Sequence, residues 1–236
     1  MGKKLTRKFY SNDDTISVAR DLLGKLLVVP DENGRRVSGM IVETEAYLGI
    51  TDRAAHSYNG RRTPRNEATY LKGGHAYVFF IYGMYYQLNV VTGPKDHPHV
   101  VLIRAIEPVE GIETMRERRG FLSEPGSGSP PARGGVAAAS ADGVVGAATG
   151  SGADRNKSRS DKNLTSGPGK LCIAINIDKT LNAENLLAGK IWLEGHRTFT
   201  SDEIAVGKRI GIDYAGEDAE KPWRIWVKRN EFVSRK

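Results

Sequence analysis

The sequence predicts an α+β fold: one domain built around a mostly antiparallel β-sheet with flanking helices. Three observations predict it. The chain has 236 residues and an ordinary apolar content of 39%, enough for one substantial core. Its strand-like runs come as adjacent pairs joined by turn signals, not as regular βαβ units. The longest β-rich run is broken at Gly83, which folds it into a hairpin.

Taken in order, Ser11 to Leu23 reads as a first helix, capped by Ser11 or Asp13. Ile16, Ala19, Leu22 and Leu23 share one helical face, and Gly24 stops the helix. Lys25 to Pro30 and Arg36 to Tyr47 are strands flanking Asp31-Glu32-Asn33-Gly34, where Asn-Gly signals a hairpin. A polar, arginine-rich loop spans Gly49 to Arg65. Ala76 to Val91 forms the aromatic hairpin, with Tyr82-Gly83-Met84 at its tip. His99 to Ile106 is a further strand and Pro108 to Arg119 a short charged helix. In 123–160, 26 of 38 residues are Gly, Ala, Ser or Pro and none is aromatic. Such a stretch offers too little surface to offset its ordering entropy and reads as a flexible insertion. Order resumes near Lys162, with Pro168 suited to a first helical turn. Lys221 to Val227 alternates Trp223, Ile225 and Val227 against Arg224 and Trp226, a last strand before a basic tail.

Composition narrows the function. No run approaches the roughly 18 apolar residues that a membrane span requires, so no membrane partner is expected. Cys172 is the single cysteine, which rules out an internal disulfide and a multi-cysteine zinc site and suits a reducing compartment. The formal charge of +7 and pI near 9.4 favour a polyanionic partner. Gly167-Pro168-Gly169-Lys170 fails as a phosphate loop, because Leu164 and Leu171 replace the required Gly and Ser or Thr. His97-Pro98-His99 lacks companion ligands in sequence, so no metal is expected.

Three constellations remain. Glu43, Glu45 and Tyr47 fall on one strand face. One carboxylate can act as a base while a cation holds the other, although an ion-paired strand end explains the same spacing. Six of the 18 aromatics lie between Tyr77 and Tyr86, and both hairpin faces carry large rings. Packing accounts for such rings, and so does stacking or wedging between bases. Arg61-Arg62-Thr63-Pro64-Arg65-Asn66 is a cationic loop suited to phosphate or simply to solvent. Arg104 interrupts the apolar run Val100 to Ile106, and a buried arginine needs a carboxylate, for which Glu43 and Glu45 are the candidates.

In order along the chain, Glu43-Thr44-Glu45-Ala46-Tyr47-Leu48-Gly49, Ala54-Ala55-His56-Ser57, Arg62-Thr63-Pro64-Arg65-Asn66, Ile81-Tyr82-Gly83-Met84-Tyr85, Leu102 to Pro108, Gly111 to Arg116 and Leu164 to Pro168 stand together. As an ordered set they resemble the alkyladenine (3-methyladenine) DNA glycosylase family. The resemblance implies a compact domain whose protruding β-hairpin intercalates into DNA, with Tyr82 entering the minor groove. It implies Glu45 as the water-activating carboxylate and Arg104 as the arginine that holds it. Tyr47, His56 and Phe79 become the walls around a flipped base, and Asn89 the residue that disfavours the guanine amine. Arg61 and Arg65 face phosphates, and Met84 and Tyr85 contact the DNA from the hairpin. Phe79 departs from a branch that carries tyrosine, and the 123–160 insertion lies outside the family pattern.

The implied activity is monofunctional hydrolysis of alkylated, deaminated or etheno purines from double-stranded DNA. The expected enzyme is a monomer without cofactor or metal, located with the DNA (prokaryotic cytoplasm or eukaryotic nucleus). An architectural DNA-binding protein using the same wedge, or an RNA-binding protein, are the competing readings.

Overall fold

The computed structural model describes residues 2–121 and 161–235. The predicted insertion at 123–160 lies outside the described residues.

The organising element is β2, Arg36–Tyr47, twelve residues whose ten central positions are all buried. Burial on both faces means that its polar residues, Ser38, Glu43, Thr44 and Glu45, are buried along with the apolar ones and need partners inside the fold. On one edge β2 pairs antiparallel with β5, His99–Glu110. Its other edge is shared. β1, Leu26–Pro30, covers Arg36 to Met40, and β8, Arg224–Val227, covers Glu43 to Glu45. The sheet continues as β3, Ala76–Ile81, and β4, Tyr85–Thr92, beyond β5, and as β6, Trp192–Glu194, beyond β1. β7, Ile204–Gly207, pairs with β8.

Two irregularities in the β2–β5 ladder shape everything built on it. Ile41 pairs with Ile106 and Glu43 with Ala105, which leaves Val42 as an extra residue on β2. Thr44 then pairs with Ile103, which leaves Arg104 extra on β5. Bulges of this kind bend a strand locally and re-aim a side chain. Here the second one turns Arg104 toward the glutamates of β2.

The helices cover one face of the sheet. α1, Arg7–Tyr10, is a single turn preceding α2, Thr15–Asp21, which buries Val18 and Ala19, and the Thr44 hydroxyl of β2 donates to the Ala19 carbonyl. α3, Ile112–Arg118, and α4, Pro168–Ala174, pack together, and α4 sets Leu171, Cys172 and Ala174 against β4 and β5. Among the described residues no helix is long and apolar enough to cross a membrane.

Several expected boundaries move. The cap of α2 is Asp14, whose carboxylate accepts from the Ser17 amide, and neither Ser11 nor Asp13. β5 continues through Pro108 to Glu110, so the predicted helix begins only after Gly111, whose φ of 71° terminates the strand. Pro108 is tolerated because it faces Gly39 at a register shift, where a missing donor costs little. The basic tail after β8 is not simply solvated: Val233 is buried and Ser234 reaches β2. Replacing Asp14 by Ala is expected to cost about 1 kcal/mol in urea unfolding, whereas Asp13→Ala shifts it by less than about 0.5 kcal/mol; equal costs would move the cap back to Asp13.

Candidate active site

The sheet face opposite the helices floors a cavity of about 320 Å³, at the small end of the range typical of ligand pockets. Side-chain alternation determines what it displays. β3 contributes Tyr77, Phe79 and Ile81, β4 Gln87 and Asn89, β5 Val100, Leu102 and Arg104, and β2 Tyr47. The walls come from loops, chiefly Ala54 to Ser57, Ile210 to Ile212, Tyr214 and Arg235.

The aromatic wall is ordered by its own contacts. The His56 and Phe79 rings meet edge to face at 4.6 Å, and Tyr77 and Phe79 lie 5.3 Å apart. His56 Nδ1 and the Tyr77 hydroxyl share a hydrogen bond of 2.7 Å. Desolvation lowers the His56 pKa to about 4, helped by Arg65 and Arg61, so the imidazole is neutral at physiological pH. Asn89 is buried and donates to the Tyr77 carbonyl.

Behind this wall lies the buried charge cluster of β2. Glu43 and Glu45 are each 0% exposed. Glu45 Oε2 accepts from the Tyr47 hydroxyl at 2.8 Å, and Oε1 accepts from the Ile210 amide at 2.8 Å. Arg104 Nη1 lies 3.2 Å from the same Oε1, while its Nε donates to Glu43 Oε1 at 3.2 Å. Glu43 is also held by Arg224 Nε at 2.7 Å and by the Ser234 amide and hydroxyl at 2.7 and 3.0 Å. Both carboxylates therefore pair with Arg104, and only Glu45 has partners that all line the cavity. Glu45 itself does not form the cavity surface; it stands one side chain behind it. Burial drives the Tyr47 phenol well above its usual range, with Glu45 adding to the effect, so the hydroxyl stays protonated and donates. Burial pulls the Arg104 guanidinium down, but Glu45, Glu43 and Tyr47 outweigh it and keep it charged.

A second buried pair braces the loops. Arg209 and Asp52, both 0% exposed as side chains, form a fork-like ion pair with Arg209 Nη2 to Asp52 Oδ1 at 2.8 Å. Arg209 also donates to the Ala46 carbonyl and is sandwiched between the Tyr47 and Trp223 rings at 4.6 and 4.8 Å. Asp52 accepts from the Leu48 and Ala54 amides. The pair thus ties the end of β2 to the loop carrying Ile210 and to the loop that leads into His56.

The hairpin tip is solvated. Tyr82 is 75% exposed, and Met84 and Tyr85 are exposed beside it. Tyr82 and Gly83 both have positive φ, 55° and 68°, and Met84 N–H bonds to the Ile81 carbonyl. Positive φ at both central turn positions favours Asn or Gly; a tyrosine there carries backbone strain, and its ring stands in solvent. In the cationic loop Arg62 is consumed by Glu67, Asp96 and the Tyr70 ring. Arg61 and Arg65 are exposed, Arg65 donating to the Phe80 carbonyl at the hairpin. Asn66 fixes the loop by accepting from the Thr63 amide and donating to the His56 and Arg61 carbonyls.

Nothing in the sequence singles out Asp52, Arg209, Ile210 or Ser234, whose partners lie 157 to 191 positions away. Arg224 carried a usable signal: like Arg104 it is an arginine within an apolar strand.

The methylpurine-DNA glycosylase family model matches residues 8–231. Bacterial relatives agree. A Clostridium acetobutylicum protein is 47% identical over 98% of this chain and 97% of its own length. A Clostridium novyi protein is 42% identical over 99% and 100%, and a Desulfitobacterium hafniense protein 44% identical over 98% of each. All three are provisionally named 3-methyladenine DNA glycosylases.

The depressed His56 pKa fixes a pH dependence. The unfolded chain takes up this proton below about 6.5 and the folded chain only near 4, so stability rises with pH across that window. His56→Gln should flatten the fall in urea midpoint on acidification from pH 6.5 to 4; an unchanged slope would show that His56 is not neutral in the fold.

Proposed function

The chain belongs to the methylpurine-DNA glycosylase family and is a DNA glycosylase of base excision repair; from that premise we propose that it everts alkylated or deaminated purines from duplex DNA and hydrolyses them off with Glu45 as the general base. The reading rests on one observation: the Glu45 carboxylate hydrogen-bonds to Tyr47 and Ile210 and pairs with Arg104, and all three line an aromatic-walled cavity.

Eversion comes first. A stacked base shields its sugar carbon, and extrusion costs a few kcal/mol, less for a damaged base. Tyr82, strained outward at the tip of the hairpin, wedges into the space left behind and offsets part of that cost. Met84 and Tyr85 contact the duplex beside it, and the exposed Arg61 and Arg65 take phosphates. The base then enters between Tyr47, His56 and Phe79. Alkylated purines are cationic, and aromatic faces attract a cation by roughly 0.5–2 kcal/mol. The neutral His56 adds no opposing charge. Phe79 retains stacking and lacks a hydroxyl, so it reads the face of the base and not its edge. Asn89 in the floor opposes an exocyclic amine and protects normal guanine.

Hydrolysis follows. Water enters between Tyr47, Arg104 and Ile210, gives a proton to Glu45 and bonds through oxygen to the deoxyribose C1′. The C1′–N bond breaks and its electron pair leaves with the purine. A cationic purine departs neutral and needs no acid; neutral lesions such as hypoxanthine need a hydrogen bond at the ring, which donors lining the cavity supply. The anionic Glu45 also stabilises the positive charge developing on the sugar. Among the described residues the cavity lining contains no lysine, so the product is an abasic site in an intact strand.

Glu45→Gln is expected to lower single-turnover excision by about 10²–10⁴-fold while lesion-duplex affinity persists, measured by gel assay over a panel of lesion-bearing duplexes. Retained excision would remove Glu45 from the mechanism, and a borohydride-trapped adduct would contradict simple hydrolysis. Tyr82→Ala should weaken binding to a lesion duplex by about 1–3 kcal/mol, read by competition against undamaged DNA; equal binding by both proteins would exclude the wedge.

A further inference from the structure

We propose that Glu43 is a positioning residue for excision: it takes the Nε end of the Arg104 guanidinium, so that Arg104 meets Glu45 through a single nitrogen and leaves Glu45 Oε2 with the Tyr47 hydroxyl as its one partner, able to take the proton of an entering water. The proposal rests on the reading of Glu45 as the base.

A guanidinium facing one carboxylate closes on it as a two-pronged fork, engaging both oxygens. Such a pair stabilises the anion and makes it a poorer base. In this protein the fork is divided, with Nε on Glu43 and Nη1 on Glu45. The division follows from the bulge at Arg104, which sets that residue opposite neither glutamate in the ladder. Glu45 Oε1 then takes Arg104 Nη1 and the Ile210 amide, and Oε2 takes only the Tyr47 hydroxyl.

Glu43 can hold its end because solvent does not reach it. It is 0% exposed, and its remaining partners are Arg224 Nε from β8 and the amide and hydroxyl of Ser234. The cluster therefore balances two carboxylates against two arginines without solvent. Removing one charge redistributes Arg104. With Glu43 neutral, the guanidinium is free to close on Glu45 and occupy Oε2. With Arg224 neutral, Glu43 draws Arg104 away from Glu45. Removing both charges restores the balance.

The test compares Glu43→Gln, Arg224→Gln and E43Q/R224Q with the full-length enzyme. It reads the single-turnover excision rate on a hypoxanthine duplex and the affinity for the same duplex with a non-hydrolysable 2′-fluoro sugar. Glu43→Gln should lose at least about tenfold in rate with affinity within about threefold, and the double variant should be faster than each single one. A purely structural role predicts the reverse order, with the double variant slowest and affinity falling with rate; that result overturns the proposal. If one single variant fails to fold, the comparison with the other decides, and if only Glu43→Gln folds, its separation of rate from affinity decides. Failure of all three to fold makes Glu43 a stability residue and also overturns it. Glu45→Gln run alongside keeps the two readings apart. Loss of excision there with full rate in Glu43→Gln sinks the positioning role alone, whereas normal excision by Glu45→Gln sinks both.

Discussion

Two carboxylates buried without solvent on one strand are the constraint around which this protein is arranged. An unpaired buried charge costs several kcal/mol, and breaking a buried pair costs about 3–5 kcal/mol, so each glutamate demands fixed partners. Glu43 and Glu45 obtain them from β5, from β8, from the Ile210 loop and from the tail at Ser234. Those demands explain why β2 gives up its β1 partner at Met40 and takes β8 instead. They also explain why β5 spends a bulge on Arg104. The fold's irregularities converge on a single patch of β2.

The period-two alternation of strands turns that patch into a site. Thr44, between the two glutamates, faces α2 and helps seal the core, while its neighbours face the cavity side. On β3, Val78 joins the core, and Tyr77 and Phe79 form the aromatic wall. One sheet therefore carries packing on one face and the cavity lining on the other. The loop that carries Ile210 to Glu45 is itself held, because the Arg209–Asp52 pair fixes it to the end of β2.

How much of this the sequence reveals depends on how local the cause is. The start of β2 follows from the Asn33-Gly34 turn, and the hairpin tip follows from Gly83. The need of Arg104 for a carboxylate was readable, because an arginine inside a strand core has few options. Its double engagement was not, since that depends on a bulge visible only in the paired register. Asp14 displaced Ser11 and Asp13 as cap because the turn α1 ends at Tyr10 and leaves Ser11 outside the helix. Strand alternation put Glu45 and Tyr47 on one face, yet the partners that hold the two glutamates include Ile210 on Glu45 and Ser234 on Glu43, residues distant in sequence. Long-range partners of this kind leave almost no local trace.

The shared edge of β2 also bears on how the chain is made. Glu43 emerges early in synthesis, but its partners at Arg224 and Ser234 are 181 and 191 positions later. A nascent chain leaving the ribosome therefore has Arg104 as the one early counter-charge for the two acids of β2, and the second arginine of the cluster arrives only when nearly everything else has been translated. Contacts of such wide separation slow folding and delay the closing of the sheet. The part of the sheet around Glu43 is thus the last to be completed, once β8 and the tail at Ser234 have joined it.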